Sequence, residues 1–226
     1  MNITSIRIKQ NNFNNRKPGL GTHKNDEKEN QYTPQLHFGY KPKTEQSIIR
    51  SSRKVSAAVD KYCKESGFRI IGKTTVENKL SHIPEPVFIA LKGDLVMPTR
   101  YGEVVEDSII NLLKPDGDVV GFSDIRLEDD SVYAAHVRNM KEKEYSRVGP
   151  TIYRIICALS SRCSRDGNIS IISFNTNKKA HNMNMNFGFV HYKNAPHDEF
   201  YLPKSRRDEL LQEIRQNPIL FDDAVI

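Results

Sequence analysis

The sequence predicts a mixed α/β domain preceded by a long polar tail. Three observations lead there. After Asp118 the chain reads strand, strand, loop, helix, strand, helix, strand; the acidic pair Asp129-Asp130 sits between the first two strands as a hairpin signal; and residues 1–45 show neither helical nor strand periodicity. That succession of elements leaves few topologies open.

The tail is legible from composition. Of 226 residues only 37% are hydrophobic, and the polar excess sits at the N-terminus. Residues 1–45 hold eight Lys/Arg against four Asp/Glu and few aliphatic side chains, so they cannot repay the entropy of ordering and are expected to be disordered. This surplus of four positive charges leaves the body, 46–226, at only +2 of the total +6. The pI near 9.1 is then weak support for a nucleic-acid surface. Cys63, Cys157 and Cys163 form no even set and no zinc-like spacing, which suits reduced, buried thiols in a reducing compartment. No run of 18 apolar residues and no secretory leader is found, so a soluble, cytoplasmic protein without membrane insertion is expected.

The elements follow in order. Ile48, Ile49, Val55, Val59, Tyr62 and Cys63 share one stripe of a helix that Gly67 stops. FRIIGKTT reads as a short strand, and EPVFIALKGDLVMPT as a longer one ended by Pro98. In GEVVEDSIINLLKP the positions Val104, Val105, Ile109, Leu112 and Leu113 predict a short helix. DVVGFSDIRLE and SVYAAHVRNM form an antiparallel hairpin. A loop, EKEYSRVG, leads to a helix with Pro150 in its first turn, with Ile152, Ile155, Ile156, Leu159 and Cys163 as its buried stripe and Gly167 as its end. NISIISFN is a strand, Ala180, Met183 and Phe187 recur at helical spacing, GFVHYKN and DEFYLP are strands, and KSRRDELLQEIRQ is a charged terminal helix.

The run NISIISFNTNKKAHNMNMNFGF carries a resemblance. Asn177, Ala180, Met183, Phe187, Gly188 and Phe189 fall without a gap on the pattern of the second half of the GCN5-related N-acetyltransferase (GNAT) fold. One helix and one strand upstream, SRVGPT (146–151) occupies the place of that family's phosphate loop. The resemblance covers 118–192. It implies an acetyltransferase-like, mostly antiparallel sheet whose central strands, 133–140 and 169–175, splay apart beside flanking helices to admit acetyl-CoA. A loop opening a helix offers unpaired amides and a partial positive charge to a pyrophosphate, and glycine permits close approach.

Carried over residue by residue, the resemblance assigns Arg147, Val148, Gly149, Thr151 and Ile152 to the phosphate loop and Val137 to the splayed strand whose amides polarise the thioester. Asn177 is either a CoA contact or simply a helix N-cap. His136 is the candidate base, with Asp124 and Glu128 as rivals and Glu103 more remote; its bland alternative is a half-buried strand histidine. There are departures. Ser146, Gly149 and Thr151 stand where the family places Gln or Arg, Gly, and Gly or Ala, and Pro150 removes an amide. Asn184 stands where many members place the tyrosine that protonates the leaving thiolate, which turns attention to Tyr192 and Tyr153.

The expected activity is therefore transfer of an acetyl group from acetyl-CoA, as co-substrate, to an amine. No metal is called for, since His181 and His191 lack ligand spacing. The polar tail without a leader suggests a bacterial effector exported by a specialised apparatus, with a host protein as acceptor. Two other readings stand beside it: a CoA-fold binding module that has lost turnover, and a nucleic-acid binder acting through the basic tail.

Overall fold

A computed structural model of the chain describes residues 55–95, 107–173, 177–192, 198–216 and 219–222. The tail, Glu103 and Pro98 lie outside them. The described chain is α/β, with a mixed, mostly antiparallel sheet flanked by helices.

Helix α1, Ala57–Ser66, opens on Ser56, whose hydroxyl accepts from the Val59 amide, and closes at Gly67 in the left-handed region. Strands β1 (Arg69–Asn78), β2 (Pro84–Lys92), β3 (Ser108–Leu113), β4 (Val119–Leu127) and β5 (Val132–Asn139) then form one antiparallel succession. The predicted helix over 102–115 is overturned: its described C-terminal half is β3. Ser108–Leu113 is a central strand walled by β2 and β4 and covered on both faces, so apolar residues occupy both of its sides. A strand buried on both faces loses the alternation that marks it, and its apolar spacing imitates a helix.

After β5, a two-residue strand β6 (Tyr145–Ser146) pairs with β1, and helix α2 runs Val148–Arg162. Pro150 falls in its first turn, as expected, and it ends before Gly167. Strand β7 (Ile169–Ile172), helix α3 (Lys178–Phe187), strands β8 (Val190–His191) and β9 (Glu199–Tyr201), helix α4 (Lys204–Gln216) and strand β10 (Leu220–Phe221) complete the described chain. The sheet order is β10-β1-β2-β3-β4-β5-β7-β9-β8.

Two cores clamp this sheet. On one face Ile152, Ile155, Ile156 and Leu159 of α2, all fully buried, meet Ile89, Leu112, Ile125 and Val132. On the other, Val59 and Cys63 of α1 meet Phe88, Ala90 and Leu113. Each fully buried aliphatic side chain contributes about 1.5–3 kcal/mol, so α2 is the principal brace of the strands beneath it. Cys63, Cys157 and Cys163 are all free thiols.

Candidate functional site

Among the described residues the sheet opens where its one parallel pairing lies. β5 and β7 run together for Val132↔Ile169, Tyr133↔Ser170 and Ala134↔Ile171, after which β5 continues to Asn139 with β4 as its strand neighbour among the described residues. Beyond Ala134 its outward backbone groups have no strand partner among the described residues. This is the divergence expected between 133–140 and 169–175, described as far as Ser173; residues 174 and 175 lie outside the described residues.

The bulge in β5 falls inside the opening. Phe122 pairs with Arg138 and Asp124 with Ala135, so His136 and Val137 together oppose Ser123. His136 takes φ 50°, a left-handed conformation that a histidine adopts at a cost of about 1 kcal/mol. The Ser123 hydroxyl donates to the Ala135 carbonyl at 2.9 Å and helps hold the bulge. Through it the imidazole swings out to solvent, and Nδ1 comes within 2.7 Å of Asp124 Oδ2. When Nδ1–H donates to that carboxylate, Nε2 carries the free lone pair. Asp124 and His136 are thus one dyad rather than rivals.

Two cavities occupy the opening. The smaller, about 280 Å³, is lined by Tyr133 to Arg138 of β5, by Ile171 to Ser173, by Tyr153 of α2 and by Asn177, Ala180, Met183 and Asn184. The larger, about 550 Å³, runs from Val137 along the β5–α2 loop to Pro150, with Lys79, Asn177 and Lys179 opposite. Both include Val137, Arg138, Asn177, Ala180 and Met183, so they are halves of one cleft.

Charge is divided unevenly along it. Lys79, Arg138, Arg147 and Lys179 line the larger half against Glu142 alone. Lys179 bonds Glu142 Oε2 and holds that carboxyl below the usual carboxylate range, while the Lys79 ammonium donates to the Glu142 carbonyl. Arg147 takes φ 55° at the entry to α2, is 80% exposed in its side chain, and lies 3.7 Å from Glu77. The first helical bond is from the Thr151 amide to the Arg147 carbonyl, so Val148 and Gly149 contribute amides that precede it. The helix carries no acidic residue in its first turn, and its dipole adds positive potential at the same point. The arrangement can hold an anion.

The sequence-predicted residues divide. His136, Val137, Arg147, Val148, Gly149 and Asn177 line the cleft. Thr151 and Ile152 are buried in α2 and line neither cavity; Ile152 belongs to the core. Asp124 reaches the cleft through His136. Tyr192 lies elsewhere, at the β8 edge with its ring 4.4 Å from that of Tyr201. Glu128 is taken up by the hydroxyls of Ser131 and Ser170, at 3.0 and 2.9 Å. Asn177 caps α3, accepting from the Ala180 amide at 3.2 Å, and faces the cleft as well.

Asn184 is 5% exposed and accepts the Tyr153 hydroxyl proton at 2.7 Å. Burial pushes the Tyr153 phenol well above its ordinary range. This pair and the basic rim of Lys79, Arg138 and Lys179 have no linear signature: they come from the turn after β1, from β5, α2 and α3. Among the described residues no group of three or more His, Cys, Asp or Glu is placed to hold a metal ion, and no helix is long and apolar enough to cross a membrane.

Comparison with known proteins gives the following. No family model and no curated protein matches the chain. Among solved structures it is similar to a GNAT-family acetyltransferase from Staphylococcus aureus, at 12% identity and a TM-score of 0.37, over 43% of this chain and 67% of that one. It is similar to AtaTR bound with AcCoA at 15% identity and a TM-score of 0.37, over 46% and 72%. It is similar to nourseothricin acetyltransferase at 13% identity and a TM-score of 0.33, over 62% and 92%.

Proposed function

We propose that the chain is an acyl-CoA-dependent N-acetyltransferase of the GCN5-related type, which moves an acetyl group from acetyl-CoA to an amine. One observation carries the reading: the sheet divides after Ala134 and Ile171, and the cleft so made ends at the N-terminus of α2 under a basic rim. An extended acyl-thioester arm fits the unpaired edge of β5, and a pyrophosphate fits the amides of Val148 and Gly149 with Arg138, Arg147, Lys79 and Lys179 around it.

The dyad supplies the base. In this reading His136 Nε2 takes a proton from the acceptor amine, directly or through one water, while Asp124 holds the ring and favours the imidazolium that forms. The turned-out amides of the bulge polarise the thioester carbonyl. The acceptor is an amine presented on the His136 side of the sheet. The tail 1–45 is proposed to serve export of an effector whose acceptor is a host protein, a role that deletion of the tail tests separately.

A second reading has its own observation. Asn184 cannot give up a proton near neutral pH, and Pro150 withholds an amide, which favours a module that binds CoA without turnover. The deciding experiment is thermal shift with acetyl-CoA and, separately, with adenine nucleotide, alongside thiol release over time. Acetyl-CoA at a hundredfold its Kd should stabilise by about 2.7 kcal/mol. Stabilisation with thiol release supports the enzyme, stabilisation without it the binding module. No stabilisation at millimolar acetyl-CoA sinks both.

A further inference from the structure

Glu142 stands apart in the larger half of the cleft. Among the described residues it is the one carboxylate that lines either half, and it shares that lining with Lys79, Arg138, Arg147 and Lys179. Its Oε2 accepts from Lys179 Nζ at 2.5 Å, and its carbonyl accepts from the Lys79 ammonium. The turn that presents it is braced on several sides. The Lys79 amide donates to the Glu144 carbonyl at 2.8 Å, and the Asn139 side chain accepts from the Lys141 amide at 3.0 Å and donates to the Tyr145 carbonyl at 2.9 Å. Lys141 Nζ reaches Asp118 Oδ2 at 3.0 Å. With the backbone so tied, freedom is left to the rotatable bonds of the Glu142 side chain. Opposite it α3 begins with Lys178 and Lys179 and has no acidic residue in its first turn, so two ammoniums stand at the positive end of the helix dipole. That end calls for an anion, and Glu142 is the one paired with Lys179.

We propose that Glu142 is an internal gate on the anion half of the cleft: its carboxylate holds Lys179 in place of a ligand phosphate, and a phosphate enters by taking Lys179 from it. The inference rests on the acyl-CoA reading for what carries the phosphate, and it concerns the regulation of that same site. Exposure makes the exchange feasible. The Lys179 and Glu142 side chains are 77% and 57% exposed, so solvent weakens their attraction and a released carboxylate turns out into water. A buried pair would lock the site, because parting it strands a charge away from water. This pair yields to a group of higher negative charge. A pyrophosphate is such a group, and the amides of Val148 and Gly149 reward it further. The gate therefore selects by charge: an anion no stronger than a carboxylate gains nothing by displacing one.

The test is a double-mutant cycle on the full chain, with CoA and inorganic pyrophosphate as separate probes and affinity read by isothermal titration at low salt and neutral pH. Glu142→Gln keeps the shape of the side chain and removes the charge that Lys179 answers. It should tighten the binding of both probes by about threefold to fivefold, the scale of one exposed ion pair. Lys179→Met should weaken both probes, and in that background Glu142→Gln should change either affinity by less than about 1.5-fold, because the partner it releases is gone. Equal gains in the two backgrounds overturn the gate, since Glu142 would then only repel phosphate through space. No gain from Glu142→Gln overturns it as well. The acyl-CoA reading fails separately: pyrophosphate bound with the expected cycle, and CoA left unbound at millimolar concentration, keeps the gate and removes the coenzyme. Failure of the wild type to bind either probe overturns both.

Discussion

A Cβ built on Gly149 would lie 2.6 Å from the Sδ of Met183, so the second residue of α2 and the middle of α3 touch through the space that a side chain would need. Alanine is favoured over glycine in a helix by about 1 kcal/mol, and the displaced thioether is flexible. Gly149→Ala should therefore leave the melting temperature nearly unchanged while pushing Met183 into the cleft. Acetyl-CoA affinity should fall about tenfold and recover in Gly149→Ala/Met183→Ala, as isothermal titration would report. A binding loss that the second substitution does not relieve would rule out this steric route.

His136 combines a strained backbone with the candidate base. His136→Gly should be more stable than His136→Ala by about 1 kcal/mol, because only glycine takes φ 50° without penalty. Both variants should lose about a hundredfold or more in kcat. Added imidazole should restore activity to His136→Gly in proportion to its concentration. Denaturant unfolding and steady-state rates check the two halves independently.

Gly121 has a different neighbourhood. An added Cβ would lie 2.4 Å from Val148 Cγ1 and 2.9 Å from the Arg138 carbonyl oxygen, and a backbone atom cannot step aside as a thioether can. Gly121→Ala should cost about 1–3 kcal/mol of stability, read as a lower denaturant midpoint. An unchanged midpoint would mean that α2 does not press on β4 this closely.

Alkaline pH should loosen the fold through Cys157. Burial pushes its thiol from 9.0 to about 12. Between these values the unfolded chain gives up the proton and the folded one keeps it, so the contribution is whole below about pH 9 and is lost as pH rises toward 12, at no more than about 1.4 kcal/mol per pH unit. Tyr145 and Tyr153 act in the same direction, since burial raises both phenols. Unfolding free energies measured from pH 8 to 11 should decline, and less steeply in Cys157→Ala. Under native conditions at pH 8 a thiol reagent should leave Cys157 unmodified.

What could be seen in the chain depended on how far apart the partners lie. α4 reads directly, because a solvated helix keeps its pattern of charge, and the hairpin of β4 and β5 declares itself through Asp129-Asp130. The apolar positions of α3 also read correctly in Phe187, but Asn184 is turned inward by a hydroxyl 31 residues away, which no local pattern contains. β3 defeats a reading by period for the opposite reason: all of its residues but the half-buried Ile109 are buried, so no alternation remains. The Asp124–His136 dyad looked like two competing candidates because a bulge, not a regular register, brings them together. Thr151 and Ile152 follow the loop's spacing, but α2 begins at Val148 and carries them into the core.

The short run shared by β5 and β7 leaves the far end of β5 with one strand neighbour among the described residues. If an extended thioester arm completes that ladder, ligand and protein share one set of backbone bonds, and occupancy becomes part of folding itself. The amides of Ala135 to Asn139 would then exchange with solvent at a rate set by ligand concentration as much as by sequence. A cell's supply of such a ligand would be felt as the rigidity of this wedge.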